Sequence, residues 1–210
     1  MSLEALRTSM DRKYVFHCTP RGGEAGERDF ELLNTRGRPL TGGYLPGWVP
    51  PSLKAIYLEW DGLRLFESEP GSLDGFRLFE FNTCAVRLRM LREVFADRRS
   101  WYQEESSLDA DQLNAWLDGL VPIAEILASG DVYALDTVNP DGDGECPVYF
   151  LDHEYYYGRD CDPESMEVVA GTAVELIEDV LKNPLKHVAA DWCGNDPDRQ
   201  WYPDSCTISG

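Results

Sequence analysis

The sequence predicts an α+β fold: one domain of helices and paired strands around a single core, preceded by an N-terminal arm. Three observations carry this. The chain has 210 residues, 43% of them apolar, which suits one ordinary domain with a sizeable core. Apolar residues recur with a helical period around 53–60, 85–97 and 172–181. They alternate, or run rich in β-formers, at 63–66, 76–81, 131–136 and 147–151, with turn-forming residues between.

The elements follow in chain order. Lys13 to Thr19 (KYVFHCT) reads as a strand, broken by Arg21 to Gly26. Phe30 to Leu33 is a short apolar run, and glycines and prolines from 37 to 47 then punctuate a long loop. Residues 1–44 hold too few apolar side chains to fold alone, so they are expected to lie as an arm on a domain spanning 45–190. Pro50-Pro51-Ser52 opens a helix, since proline is tolerated in a first turn. Leu53, Ile56, Tyr57 and Trp60 fall on one face of it, and Asp61-Gly62 stops it. Leu63–Phe66 and Phe76–Phe81 follow as two strands. Residues 85–97 are helical, with Val86, Met90 and Val94 spaced by four and Leu91 and Phe95 beside them. Leu113, Trp116, Leu117 and Leu120 form a further apolar face, capped by Asp109 or Asp111. Asp131–Asp136 and Pro147–Leu151 pair across the turn composition of 139–145. Thr172 and Glu175 form a capping box ahead of Leu176, Ile177, Val180 and Leu181, and Asn183-Pro184 ends that helix. Residues 191–210 are a polar, proline-containing tail.

Charge narrows the function classes. The chain carries 19 Lys+Arg against 38 Asp+Glu, a net of −19. Residues 1–100 have a net of +1 and residues 101–210 a net of −20. Such a balance argues against a nucleic-acid groove or an anionic membrane as the main partner. It either solvates every face or concentrates on one that meets something basic. The basic stretch, with Arg87, Arg89, Arg92, Arg98 and Arg99, reads as a solvated face that offsets the acidic half. No apolar run approaches a membrane span, and the start has no secretory pattern, so a cytoplasmic protein is expected.

Motifs for catalysis are missing. The six cysteines form no Cys-x-x-Cys, and a shared metal at Cys146, His153 and Cys161 is not expected. Asn139, Asp141, Asp143 and Gly144 match four positions of a calcium loop, but its twelfth position is Phe150 where a glutamate is needed. As strand residues, Asp152 and Glu154 would project together, with His153 opposite. There is no nucleophile elbow, phosphate loop, zinc-protease helix or dinucleotide fingerprint. A metal-assisted hydrolase would have to use Asp131, Asp136, Asp143, Asp152 and His153. No cofactor or metal is expected.

A mixture of tyrosines and carboxylates is the more suggestive feature. Tyr155, Tyr156 and Tyr157 lie between Asp152, Glu154 and Asp160, and three adjacent rings cannot all enter one core. Exposed tyrosines favour protein interfaces, and carboxylates around them suit lysine and arginine. The expected partner-binding residues are Asp141, Asp143, Glu145, Asp152, Glu154, Tyr155, Tyr156, Tyr157 and Asp160.

Four segments, in order, resemble the SUKH superfamily of Smi/Knr-like proteins. They are LPGWVPPSLKAIYLEWDGLRLF (45–66), VPIAEILASGDVYALDTV (121–138), PVYFLDHEYYY (147–157) and a helix starting SMEVVAGTAVELIEDVL (165–181). The resemblance rests on Trp60-Asp61-Gly62-Leu63, on Gly130, Asp131, Tyr133, Ala134, Leu135 and Asp136, and on Val148, Tyr149, Asp152, His153 and Glu154. It implies a curved, mostly antiparallel sheet flanked by helices, with no catalysis and no cofactor. Bacterial relatives of this kind are immunity proteins that neutralise toxins, many of them nucleases, and fungal ones are regulatory interaction proteins. Together with the acidic charge balance, this leads to an expected basic protein partner, such as a secreted toxin domain; a monomer or weak homodimer is expected. A regulatory scaffold with another partner is the alternative. It leaves the first 45 residues and the basic insertion at 82–118 unaccounted for.

One core is expected to hold Leu53, Ile56, Tyr57, Trp60, Tyr133, Leu135, Val148, Phe150, Ile177 and Val180.

Overall fold

A computed structural model of the chain describes residues 3–18, 28–40, 45–67, 75–105, 108–127, 129–153, 166–184 and 206–209. It is an α+β domain. Nine strands form one curved, unclosed antiparallel sheet: β1 (Tyr14–Cys18), β2 (Arg28–Arg36), β3 (Leu63–Glu67), β4 (Phe76–Leu78), β5 (Leu120–Ile126), β6 (Val132–Asp136), β7 (Val148–Leu151), β8 (Val168–Ala170) and β9 (Cys206–Ser209). Strands β1 to β8 lie side by side in chain order, and β9 adds to the free edge of β1. The described helices are α1 (Leu3–Met10), α2 (Pro51–Glu59), α3 (Phe81–Glu105), α4 (Ala110–Gly119) and α5 (Ala173–Lys182).

The pleat sorts side chains onto two faces. From β6, Tyr133 and Leu135 enter one core with Leu53, Ile56 and Tyr57 of α2 and Leu176, Ile177 and Val180 of α5. Val132 and Ala134 enter a second core with Leu91 and Phe95 of α3 and Leu113, Trp116 and Leu117 of α4. All ten residues expected to share a core do so, nine of them buried and Phe150 packed against them. Phe150 and Phe76 flank the Tyr133 ring, with centroids 5.3 and 5.7 Å away.

Helix α2 ends as expected. The amide of Trp60 donates to Ile56 O, and Gly62 takes a φ of +91°, where a Cβ would crowd Glu80 and Leu78. The Asp61 carboxylate then accepts the Phe81 amide at 2.7 Å. That contact starts α3, so β4 stops at Leu78 and the strand expected through Phe81 is shorter.

Other expectations needed correction. The short apolar run at Phe30–Leu33 lies within β2, a nine-residue strand that ends at Arg36 and whose polar residues hid it. Leu120 belongs to β5, a strand with no alternation because all seven residues are buried. Its Pro122 is tolerated where the register with β6 shifts. On α3 the core face is Cys84, Leu91 and Phe95, while Val86 and Met90 point outward. The helix expected from residue 165 starts at Ala173, since 168–170 pair with β7. Thr172 caps it through the Glu175 amide, but Glu175 answers to the Gly171 amide, so the box is displaced by one residue.

Charges inside the fold are paired. Arg77 and Glu125 face each other across β4 and β5, 3.6 Å apart, and Arg87 of α3 reaches the same carboxylate at 2.7 Å. Both guanidiniums lie over the Phe79 ring. Buried Glu67 holds Arg64 at 2.8 Å and accepts from the Thr35 hydroxyl. These carboxylates offset the repulsion of Arg64 and Arg77, which oppose each other across β3 and β4.

Replacing Trp60, nearly fully buried between α2 and β3, with alanine is expected to lower unfolding stability by about 3–5 kcal/mol in urea titration. A second expectation concerns the contact between the Tyr57 hydroxyl and the Cys84 sulfur, 3.0 Å apart and buried. Burial pushes the Cys84 thiol up to about 12 and raises Tyr57 well above the ordinary phenol range. Only the unfolded chain ionises in the ordinary thiol range. Stability should therefore fall as pH climbs from there toward 12, and Cys84→Ala should flatten that fall. Native Cys84 should also resist alkylation at pH values where denatured chain reacts.

Candidate partner-binding surface

The acidic turn grows from the end of β6. Buried Asp136 accepts from the Val138 and Asn139 amides and the Asn139 side chain, which folds the chain back. Asp141 builds the tip. One of its oxygens accepts from the amides of Asp143 and Glu145, both at 2.9 Å, and Gly144 supplies a φ of +79°. Asp141 and Asp143 stand exposed at this tip with Gly142 and Gly144. Glu145 also has a structural task. Its carboxylate accepts from the Ser52 amide at 2.7 Å and from the Ser52 hydroxyl at 2.6 Å, so it caps the first turn of α2.

The other acidic group lies at the far end of the same hairpin. β7 ends at Leu151, and the chain turns, so Asp152 and His153 do not alternate as strand residues would. Asp131 accepts from the His153 amide at 2.9 Å and lies 2.7 Å from its Nδ1, with Asp152 3.8 Å from the same nitrogen. These three residues offer ligand atoms within 4.8 Å of one another. The remaining candidates for a metal-assisted hydrolase are not with them. Asp136 and Asp143 lie beyond the opposite end of the β6–β7 ladder, which pairs Val132 with Leu151 and Leu135 with Val148. Cys146 is likewise at that opposite end and buried, so it shares no site with His153. Its thiol is raised by burial and by the carboxylates of Asp136, Glu145 and Asp141.

The structure thus divides the expected surface. Asp141, Asp143 and Glu145 sit at one end of the hairpin and Asp152 at the other. Four residue pairs of antiparallel strand, about 13 Å, lie between them. Glu154, Tyr155, Tyr156, Tyr157 and Asp160 lie outside the described residues, as does Cys161. Part of the basic stretch is spent inside the chain: Arg87 on Glu125, and Arg92 on the Asp118 carbonyl at 3.0 Å. The capping role of Glu145 could not be read from its neighbours, since Ser52 lies 93 residues away.

No described helix is long and apolar enough to cross a membrane. Comparison with curated proteins finds no match. Comparison with protein families matches residues 48–179 to the SMI1 / KNR4 family (SUKH-1). That span is more than half of the chain. It runs from just before α2 into α5 and includes both ends of the β6–β7 hairpin. The chain therefore belongs to the SMI1 / KNR4 family (SUKH-1), a family of immunity and regulatory domains.

Proposed function

We propose that this protein is a cytoplasmic immunity protein that binds and blocks a toxin domain, by contact and without catalysis of its own. The observation that carries this reading is the charge surplus of −20 in residues 101–210, part of it displayed at the exposed tip of Asp141 and Asp143. A toxin that handles nucleic acid has a basic site. An acidic face would be drawn to that site, speeding encounter, and would cover it once docked. Family membership supports a protein partner of this kind. Tyr155, Tyr156 and Tyr157 would supply the apolar part of the contact, and Asp152, Glu154 and Asp160 its rim.

The test uses a purified partner, isolated by pull-down from the native source and identified by mass spectrometry, with association followed by surface-bound kinetics. Two variants separate the ends of the hairpin: Asp141→Asn with Asp143→Asn, and Asp152→Asn with Glu154→Gln. Whichever end faces the toxin should slow association when neutralised and lessen its dependence on salt. Replacing an interfacial tyrosine of 155–157 with alanine should act through faster dissociation, at a cost of about 2 kcal/mol or more. Unchanged rates in both charge variants at low salt would defeat the acidic-face mechanism. Glu145→Ala serves as the control. Loss of its cap on α2 should lower stability by about 1 kcal/mol while leaving the association rate near that of the parent.

A further inference from the structure

We infer that the outer face of α3 is a self-docking surface. Two copies of this chain pair through antiparallel α3 helices, in a register that sets Arg89 of each copy against Glu93 of the other. This pairing goes beyond toxin binding and does not depend on it.

Helix α3 has 25 residues, about 37 Å of helix at 1.5 Å per residue. Its inner side is spent on the sheet through Cys84, Leu91, Phe95 and Arg87. At about 100° per residue, Val86, Met90, Glu93 and Asp97 share one narrow stripe on the opposite side, with Arg89 and Ala96 along its flank. All six are exposed. Val86 and Met90 are 50% and 46% accessible. The other large exposed apolar residues among those described, Leu58, Val138 and Val168, stand on separate elements. The pair on α3, one turn apart, is therefore a continuous apolar strip.

The charges around that strip choose its occupant. The N-terminal half carries Val86, Arg89 and Met90. The C-terminal half carries Glu93 and Asp97. Reversing a second copy of the helix lays each half on its complement. With Arg89 opposite the second copy's Glu93, Val86 faces the second copy's Ala96, and the two Met90 side chains meet across the axis. A surface that complements itself under a two-fold rotation is what a closed dimer needs. Within one helix the order is the weaker one, with the base N-terminal to the acid at i,i+4. Among the described residues neither Arg89 nor Glu93 makes an ion pair. A basic toxin domain is a poorer occupant, because Arg89 and Arg92 would repel it. The seam covers about three turns, so the interface is small and the dimer weak and concentration-dependent. The −19 charge of each copy opposes approach at long range, but at physiological salt that field is screened within about 8 Å, and the close pairs decide.

Sedimentation equilibrium of the full chain, from micromolar to millimolar concentration, tests this. The parent should show a reversible monomer–dimer equilibrium. Arg89→Glu alone and Glu93→Arg alone should each weaken it by about tenfold or more, since each change turns two attractive pairs repulsive. The double variant should return to within a few-fold of the parent, because the pair is restored with its signs exchanged. Met90→Arg should abolish the dimer. All these positions are exposed, so thermal unfolding should be unchanged at dilutions where the parent is monomeric, and this is checked on each variant. A chain that stays monomeric throughout overturns the inference. So does a dimer indifferent to Arg89→Glu, or a double variant no better than the single ones. Protection of Met90 from oxidation in the monomer would also overturn it, by showing that a segment of the same chain covers the strip.

Discussion

The central strands of this sheet are buried on both faces, and most of the architecture answers that constraint. All of β5 and all of β6 are buried. A strand in that position needs cover above and below, so α1, α2 and α5 take one face and α3 and α4 the other. Polar groups that enter must arrive with partners. Glu125, Glu67 and Asp136 do so: the first between two arginines, the second beside Arg64 and Thr35, the third on a turn of backbone amides. The faces of the sheet are thereby used up. What remains for a partner is the loops, the edge strands and the outward sides of the helices.

The same constraint explains how a chain so unevenly charged holds together. The arginines of the first hundred residues do not form a basic face opposed to an acidic one. Arg64, Arg77 and Arg87 are drawn to buried or half-buried carboxylates, and Arg7 forms a two-point contact with Glu59 that ties α1 to α2. Breaking one partner of Glu125 would strand a buried charge, so this cluster fixes where α3 crosses the sheet. Among the described carboxylates of the second half, those at the turn tip stand differently. Asp141 and Asp143 are held outward by a turn whose own hydrogen bonds are complete without their second oxygens.

Legibility in the sequence followed how much of each element's environment was local. Helix α2, strands β3, β6 and β7 and the face of α5 were readable because period, cap and breaker agreed within a few residues. β2 and β5 were not. β2 is mostly polar and is a strand because β1 and β3 offer it hydrogen bonds on both sides. β5 is uniformly buried and so lacks the alternation that marks a half-exposed strand. The face of α3 was misjudged because Val86, Met90 and Val94 repeat by four, while the core selects the row through Cys84, Leu91 and Phe95. The site shows the same division. That 139–145 is an acidic turn was written in its composition. That Glu145 belongs to α2, and that Asp141 and Asp152 lie at opposite ends of one hairpin, are consequences of packing and register.

That separation shapes what the acidic surface can do. The two groups of carboxylates stand beyond opposite ends of a rigid ladder of strand pairs about 13 Å long, so on the proposed reading they would act as a spaced pair of contacts and not as one dense patch. Concentrated charge repels itself, while spaced charge meets a basic groove at two points and fixes its orientation as well as attracting it. The groups also differ in stiffness. Asp141 is bound into its turn by two amides, whereas Asp152 stands beside a histidine already shared with Asp131. Of the two, the tip built by Asp141 is therefore the steadier source of negative field. A scaffold whose core is closed on both sides can vary such tips without disturbing its fold, which is what a family of binding domains facing different partners requires.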